Sequence, residues 1–381
     1  MTLQDDYFRD IKEWSRRKLN IVRKYLDGFT KILGSAIPGP VFHIDGFAGR
    51  GIYESGEIGS PVMAAKLASK IQTEGKPYSL YCVNVEENPD NFANLQAETA
   101  CFGKLVSNHL GTLNNNADII LDQVRDAPAI FFLDDFGVKG TEWIAVEKVI
   151  ARKQPTDLWI RFDHRTVRRL AGFADSEAKD AFGKLALLPQ LFGINDPGYL
   201  LQRLDGPTPE SRIQNAVLLY LERLEIAFQT FDKNGFAAAY PIISLDGQRK
   251  YHLVFACSHP TAATLASNVV NGEEENFQIE IQEYKERLTQ QPTLFALEPT
   301  PEEIFAIKVG HLKDEIIRLS KDQPLPRVKL HYQLLRQEKS LFGKIGRTHL
   351  TQALKELLDE KCPKITCNGT PGNDKSIITV I

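Results

Sequence analysis

The chain has 381 residues, too many for one ordinary domain, and its 43% hydrophobic, 25% charged and 9% aromatic content is that of a globular protein. No apolar run approaches the roughly 20 residues that span a bilayer, and the polar, acidic N-terminus carries no signal-peptide core. Five scattered cysteines fit reduced thiols, so a cytoplasmic protein is expected. The formal charge of −3 is unevenly divided: residues 301–381 hold 14 Lys and Arg against 10 Asp and Glu, and the remainder 32 against 39. Within 327–355, seven bases stand against the single acid Glu338, a segregation that points to a polyanionic partner.

Residues 5–33 carry a helical period, with Phe8, Ile11, Trp14, Ile21, Val22, Tyr25, Leu26 and Phe29 on one face. Arg16, Arg17, Lys18, Arg23 and Lys24 occupy the other face, which reads first as solvated and only second as a binding surface. The run Ile37-Pro38-Gly39-Pro40 breaks this helix. Apolar strands are predicted at 41–45, 79–86, 104–110, 129–134 and 157–163, with helices at 61–73, 89–100, 117–124 and 142–152 between them. Continuous apolar strands separated by crossover helices mean a parallel sheet covered on both faces, hence a doubly wound α/β fold. From 166 to 231 the pattern is helical and irregular, and strands at 235–245 and 251–256 flank the hairpin signal Asp246-Gly247-Gln248. A parallel sheet ending in an antiparallel hairpin is the layout of class I, Rossmann-like methyltransferases. The turn-rich stretch 288–300 reads as the domain boundary. Helical patterns at 302–319, 327–336 and 348–359 and a closing hairpin then describe a winged helix. The expected organisation is a helical segment over 1–40, a Rossmann-like domain over 41–287 with its insertion at about 166–231, and a winged-helix domain over 301–381.

The strongest local signal is HIDGFAGRG, residues 43–51, where a buried strand ends at Asp45 and enters a turn containing Gly46, Gly49 and Gly51. Glycines there let backbone N–H groups approach a ligand, on the cleft side of an open α/β sheet. The second strand ends at Glu86, placed to accept both ribose hydroxyls of an adenosine cofactor. The third ends in Asn108-His109-Leu110-Gly111, where methyltransferases bracket adenine, although no acid stands there. The fourth runs into FFLDDFGVKG. In amino-group methyltransferases a [D/N]PPY-like turn at this place holds the target nitrogen. By that comparison Asp134 holds an exocyclic amine and Phe136 stacks a base; an equal alternative is that Asp134 only fixes the turn or contacts the methionine moiety. Past the apolar part of the fifth strand, Arg161 and Arg165 suit phosphate contacts or pair with Asp134, Asp135 or Glu142. The histidines are dispersed, and Cys362 and Cys367 have the wrong spacing for a zinc knuckle, so no metal is expected.

Together, HIDGFAGRG, VEENPDNFANL and FFLDDFGVKG resemble the three-Cys-motif partner (TcmP) family, a similarity that extends to KLNIVRKYLDGFTKIL and YHLVFACSHPTAA. Its members look like class I S-adenosylmethionine-dependent methyltransferases, many with a winged-helix tail, encoded beside a radical-SAM-like three-Cys-motif protein. The resemblance implies that Asp45, Gly46, Phe47, Ala48 and Gly49 form the cofactor turn and that Glu86 is the ribose acid. Asp134, Phe136 and Gly137 match the family's DPFG turn, with Asp135 here in place of proline. The expected activity is S-adenosylmethionine-dependent methylation of nucleic acid, DNA or RNA, with Asp134 and Phe136 catalytic. Gly51 and Gly111 complete the cofactor site, and Asp135, Arg161, Arg165 and Arg347 contact the substrate. The alternative is a methyltransferase-like protein acting on, or binding, the three-Cys-motif protein.

Overall fold

The computed structural model describes residues 11–37, 39–135, 140–175, 181–289, 300–320, 323–359 and 363–381. The chain forms two compact units, Met1–His259 and Pro260–Ile381. The division falls before the predicted boundary at 288–300, part of which lies outside the described residues.

The first unit opens with helix α1 (Glu13–Ala36), whose buried face includes Leu19, Ile21, Val22, Tyr25, Leu26 and Phe29, as its period predicts. Phe8 lies outside the described residues. Strands and helices then alternate: β1 (Pro40–Asp45), α2 (Ser60–Thr73), β2 (Ser79–Glu86), α3 (Pro89–Thr99), β3 (Val106–Leu110), α4 (Leu113–Gln123), β4 (Ala129–Leu133), α5 (Trp143–Ala151) and β5 (Thr156–Phe162). Helix α4 begins earlier than its apolar pattern suggests because the Thr112 hydroxyl accepts from the Asn115 N–H at 3.2 Å and caps it. The region after β5 holds α6 (His164–Ala171), α7 (Ala181–Leu185), α8 (Leu187–Phe192), α9 (Pro197–Leu204) and α10 (Pro209–Thr230). An antiparallel pair, β6 (Phe236–Ile243) and β7 (Arg249–Cys257), closes the unit around Gly247, whose φ of +80° suits its turn.

The sheet order is β3-β2-β1-β4-β5-β7-β6. Strands β1 to β5 pair in parallel, and β7 runs antiparallel to β5 and β6. This is the doubly wound, Rossmann-like arrangement with an antiparallel terminal hairpin. Because side chains alternate across a strand, Phe42 and Ile44 face one layer, a core shared with α4, α5 and α10. His43 and Asp45 face the opposite way, toward the layer that holds α1. The chain builds outward from β1 to β3 and then returns to place β4 beside β1. That reversal opens a crevice at the carboxyl ends of the central strands, the place where open α/β sheets bind ligands.

The second unit contains α11 (Pro260–Thr289), α12 (Pro301–Ser320), β8 (Leu325–Pro326), α13 (Arg327–Gln337), α14 (Arg347–Asp359), β9 (Ile365–Asn368) and β10 (Ile377–Val380). Its strands form a small antiparallel sheet of order β8-β10-β9, and Leu312, Ile316, Leu330, Leu350, Leu354 and Ile378 fill its core. Neither the long α11 nor the two-residue β8 was expected from the sequence. Arg327, one of the seven bases counted over 327–355, is buried; it bonds the Arg347 carbonyl and the Thr351 hydroxyl, each at 3.0 Å, and pairs with Asp374. Among the described residues no helix is long and apolar enough to cross a membrane.

Candidate functional site

A cleft of about 870 Å³ lies in the crevice at the strand ends, within the ~300–1,000 Å³ typical of small-molecule sites. Its walls come from the residues that leave each central strand: Gly46 to Gly51 after β1, Glu86 after β2, Gly111 after β3, and Asp134 and Asp135 after β4. Three backbone bonds hold this rim: Gly46 N–H donates to the Phe132 carbonyl, Ala48 N–H to Val85 and Gly111 N–H to Glu86, each at 2.9 Å. A methyl group at Gly46 would stand 2.9 Å from Leu133 Cδ2, so this position has room only for glycine unless Leu133 moves. Gly49 (φ +64°) and Gly51 (φ +89°) turn the loop back over the sheet.

Glu86 joins this loop to the second strand. Its Oε2 accepts from the Gly49 N–H and its Oε1 from the Asn88 N–H, both at 2.8 Å. Burial raises its pKa, and those two amides pull the other way. Each carboxylate oxygen has two acceptor directions, so a second pair of donors, such as vicinal hydroxyls, can be held as well. The glycine turn and the acid therefore converge on one cavity, as the sequence predicts.

Asp45 lies beneath the loop, fully buried, with its carboxyl pushed up to about 7 chiefly by burial. The Ser60 side chain and the Phe47 N–H, 3.2 Å from Oδ1, oppose that shift, and Oδ2 has no hydrogen-bond partner. Asp45 thus shapes the turn from below, while Gly46, Phe47, Ala48, Gly49 and Gly51 line the cavity.

At the other end, Asp134 pairs with Lys18 of α1, whose side chain is 2% exposed, and faces Arg161 Nη1 at 3.9 Å. The Arg161 guanidinium lies 4.6 Å from the centre of the Tyr251 ring. The reading of Arg17 and Lys18 as solvated is corrected here: both are buried, at 5% and 2% exposure. Periodicity contained the signal, since Lys18 falls on the stripe Val22, Tyr25 and Phe29, four, seven and eleven residues away. Arg165 is exposed and bonds the Arg249 carbonyl, outside the cavity. Arg347 belongs to the second unit, where it donates to the Gly372 carbonyl at 2.6 Å. Phe136 and Gly137 lie outside the described residues. The structure brings Glu142 into the site, which the sequence left as a pairing partner for arginines; its carboxylate accepts from the Gly140 N–H at 3.0 Å and from Asn114. Among the described residues no group of His, Cys, Asp or Glu side chains is placed to hold a metal ion.

No family model and no curated protein matches this chain. Solved structures similar to it include an O-methyltransferase from Bacillus cereus in complex with SAH, 14% identical over 66% of this chain and 83% of that one, at a TM-score of 0.34. The O-methyltransferase TomG from Streptomyces achromogenes, in complex with SAM, is 12% identical over 67% of this chain and 93% of its own, at 0.33. The bifunctional kinase-methyltransferase WbdD is 9% identical over 98% of this chain and 76% of its own, also at 0.34. Likenesses this distant carry no argument about activity. The fold assignment rests on strand order and direction.

Proposed function

We propose that the chain is an S-adenosylmethionine-dependent methyltransferase acting on nucleic acid. The observation that carries the reading is the bond from Gly49 N–H to the Glu86 carboxylate, at 2.8 Å, on the wall of the cleft at the sheet's reversal point. Glu86 would hold the ribose hydroxyls, Gly46 to Gly51 would cover the nucleoside, and Gly111 and Thr112 would border adenine. When bound, S-adenosylmethionine supplies an electrophilic methyl group on a sulfonium sulfur. Asp134, with Oδ1 lacking a hydrogen bond at the acceptor end, would take an N–H or O–H of the incoming group and orient its lone pair toward that methyl. The walls of the cleft would exclude water while transfer occurs.

For the acceptor, support comes from the second unit. It holds helices and a three-stranded antiparallel sheet, which we read as a winged helix, and Lys329, Lys344, Arg347 and Lys355 are exposed on it. A basic module of this kind docks phosphates, and a base or sugar would then reach the cleft from a single-stranded or extruded nucleotide. Calorimetry with S-adenosylmethionine and S-adenosylhomocysteine tests the first half of the reading. Transfer of a labelled methyl group to fractionated cellular RNA, DNA and protein tests the second. Heat with neither ligand would remove the reading, and label confined to protein would move the acceptor to a polypeptide.

A further inference from the structure

A second cavity, of about 430 Å³, lies among α6, α9 and α10, again within the ~300–1,000 Å³ of small-molecule sites. On α6, His164, Val167, Arg168 and Ala171 recur at steps of three and four residues, so one face of the helix forms a wall. Leu204 of α9 makes that wall more apolar, and Arg212 of α10 stands on it too. The fold leaves both arginines with donors to spare. Arg168 is exposed and has no hydrogen bond or ion pair among the described residues. Arg212 donates through Nε to the Gly206 carbonyl at 2.9 Å and faces Asp205 Oδ1 with the same atom at 3.5 Å. Its Nη groups have no hydrogen bond among the described residues. Asp205 is the one acid on the described wall, against two arginines, so positive charge is in excess there.

The buried member of this wall is one of a histidine pair. His164, 3% exposed, sets its Nδ1 3.2 Å from Nδ1 of His252 on β7. Burial lowers both rings, His164 to about 4 and His252 to about 3, so each is neutral at pH 7 and one proton lies between the two nitrogens. When His252 donates that proton, His164 carries its own at Nε2. That atom has no partner among the described residues, although the ring lies on the cavity wall. A buried N–H with nothing to meet costs more than an apolar side chain of similar size, so packing alone does not account for it. We infer that this cavity binds the phosphate of an organic phosphate, with His164 Nε2–H, Arg168 and the Arg212 Nη groups as donors. Donors from two helices match the three terminal oxygens of a phosphate monoester, and the apolar wall takes the carbon body. His252 is then a positioning residue that fixes the His164 tautomer. A free nucleotide and the 5′ end of a nucleic acid share this chemistry. The inference does not rest on the methyl-donor reading.

The test is calorimetry on the full chain at fixed salt, comparing uridine 5′-monophosphate with uridine. The two differ only in the phosphate, and neither carries the adenine proposed for the donor cleft. Wild-type protein is expected to bind the monophosphate at least tenfold more tightly than the nucleoside. Arg168→Gln combined with Arg212→Gln is expected to bring the two within twofold of each other. His164→Leu is expected to weaken monophosphate binding at least fivefold, and His164→Gln, whose amide nitrogen reaches close to the Nε2 position, to recover most of it. Should the His164 variants not fold, the exposed arginine pair decides the matter. No binding of the monophosphate by wild-type protein, equal affinity for monophosphate and nucleoside, or an undiminished preference in the arginine double variant would overturn the inference. Hexauridylate with and without a 5′-phosphate identifies the source. At least fivefold tighter binding of the phosphorylated oligomer, lost in the arginine double variant, assigns the cavity to nucleic-acid ends. Equal binding of the two oligomers, with the monophosphate preference intact, assigns it to a free phosphate ester.

Discussion

Replacing Glu86 by alanine perturbs the site at its best-defined point. The carboxylate already holds the Gly49 and Asn88 amides at 2.8 Å, and the proposed function adds two ribose hydroxyls. A hydrogen bond to a charged group contributes about 1.5–3 kcal/mol, so losing two removes about 3–6 kcal/mol of ligand binding. Water reaching the vacated space recovers part of this, leaving a loss of about 3 kcal/mol, or roughly 100-fold in Kd. The assay is calorimetric titration of S-adenosylhomocysteine into both proteins at one pH and salt concentration. Glu86→Gln keeps one carbonyl oxygen and the side-chain shape, and is expected to fall between them, at about tenfold. Because burial raises the pKa of Glu86, wild-type affinity is also expected to weaken as the pH drops through its folded value, whereas the alanine variant stays flat. Affinity in Glu86→Ala within threefold of wild type would refute the assignment of Glu86 to the ribose.

Asp157 is buried, accepts from the Tyr25 hydroxyl at 2.6 Å, and has its carboxyl raised to about 7 by burial. The unfolded chain ionises this group near 4, so the folded state holds the extra proton between about 4 and 7 and loses stability as pH rises through that window. Asp157→Asn is therefore expected to match wild type near pH 4 and to exceed it in urea midpoint at pH 8; equal midpoints at pH 8 would contradict the burial argument. At Gly193, with φ of +62°, an added methyl would stand 2.1 Å from Trp143 Cδ1, and Gly193→Ala is expected to destabilise by at least about 2 kcal/mol in a tryptophan-fluorescence urea titration. Changing exposed Lys344, Arg347 and Lys355 together to glutamine is expected to weaken binding to a single-stranded oligonucleotide and to flatten its salt dependence by up to about 0.7 per lost phosphate contact. An unchanged slope would remove this surface from any nucleic-acid interface.

The strands and the glycine turn were legible because burial on both faces leaves continuous apolar runs that end abruptly at Asp45 and Glu86. Their convergence followed from topology, since neighbouring parallel strands bring their carboxyl ends to one edge. Lys18 was missed for a different reason. A lysine on a helix reads as solvated on composition, and only the partner across the sheet, Asp134, reveals why it is buried. For Arg165 and Arg347, charge alone did not reveal that part of each guanidinium is held by a backbone carbonyl. Helix α11 escaped notice because its polar run from Asn271 to Glu283 leaves a weak apolar stripe, with Ala263, Ala266, Val270 and Phe277 buried one turn or two apart.

A crystal structure of the chain grown with S-adenosylhomocysteine measures the central claim most directly. The account predicts ribose hydroxyls within hydrogen-bonding distance of both Glu86 oxygens, and the thioether sulfur lying over β1 between Glu86 and Asp134. An adenosine bound elsewhere on the molecule, or seated in the cleft with its ribose turned away from Glu86, would contradict it.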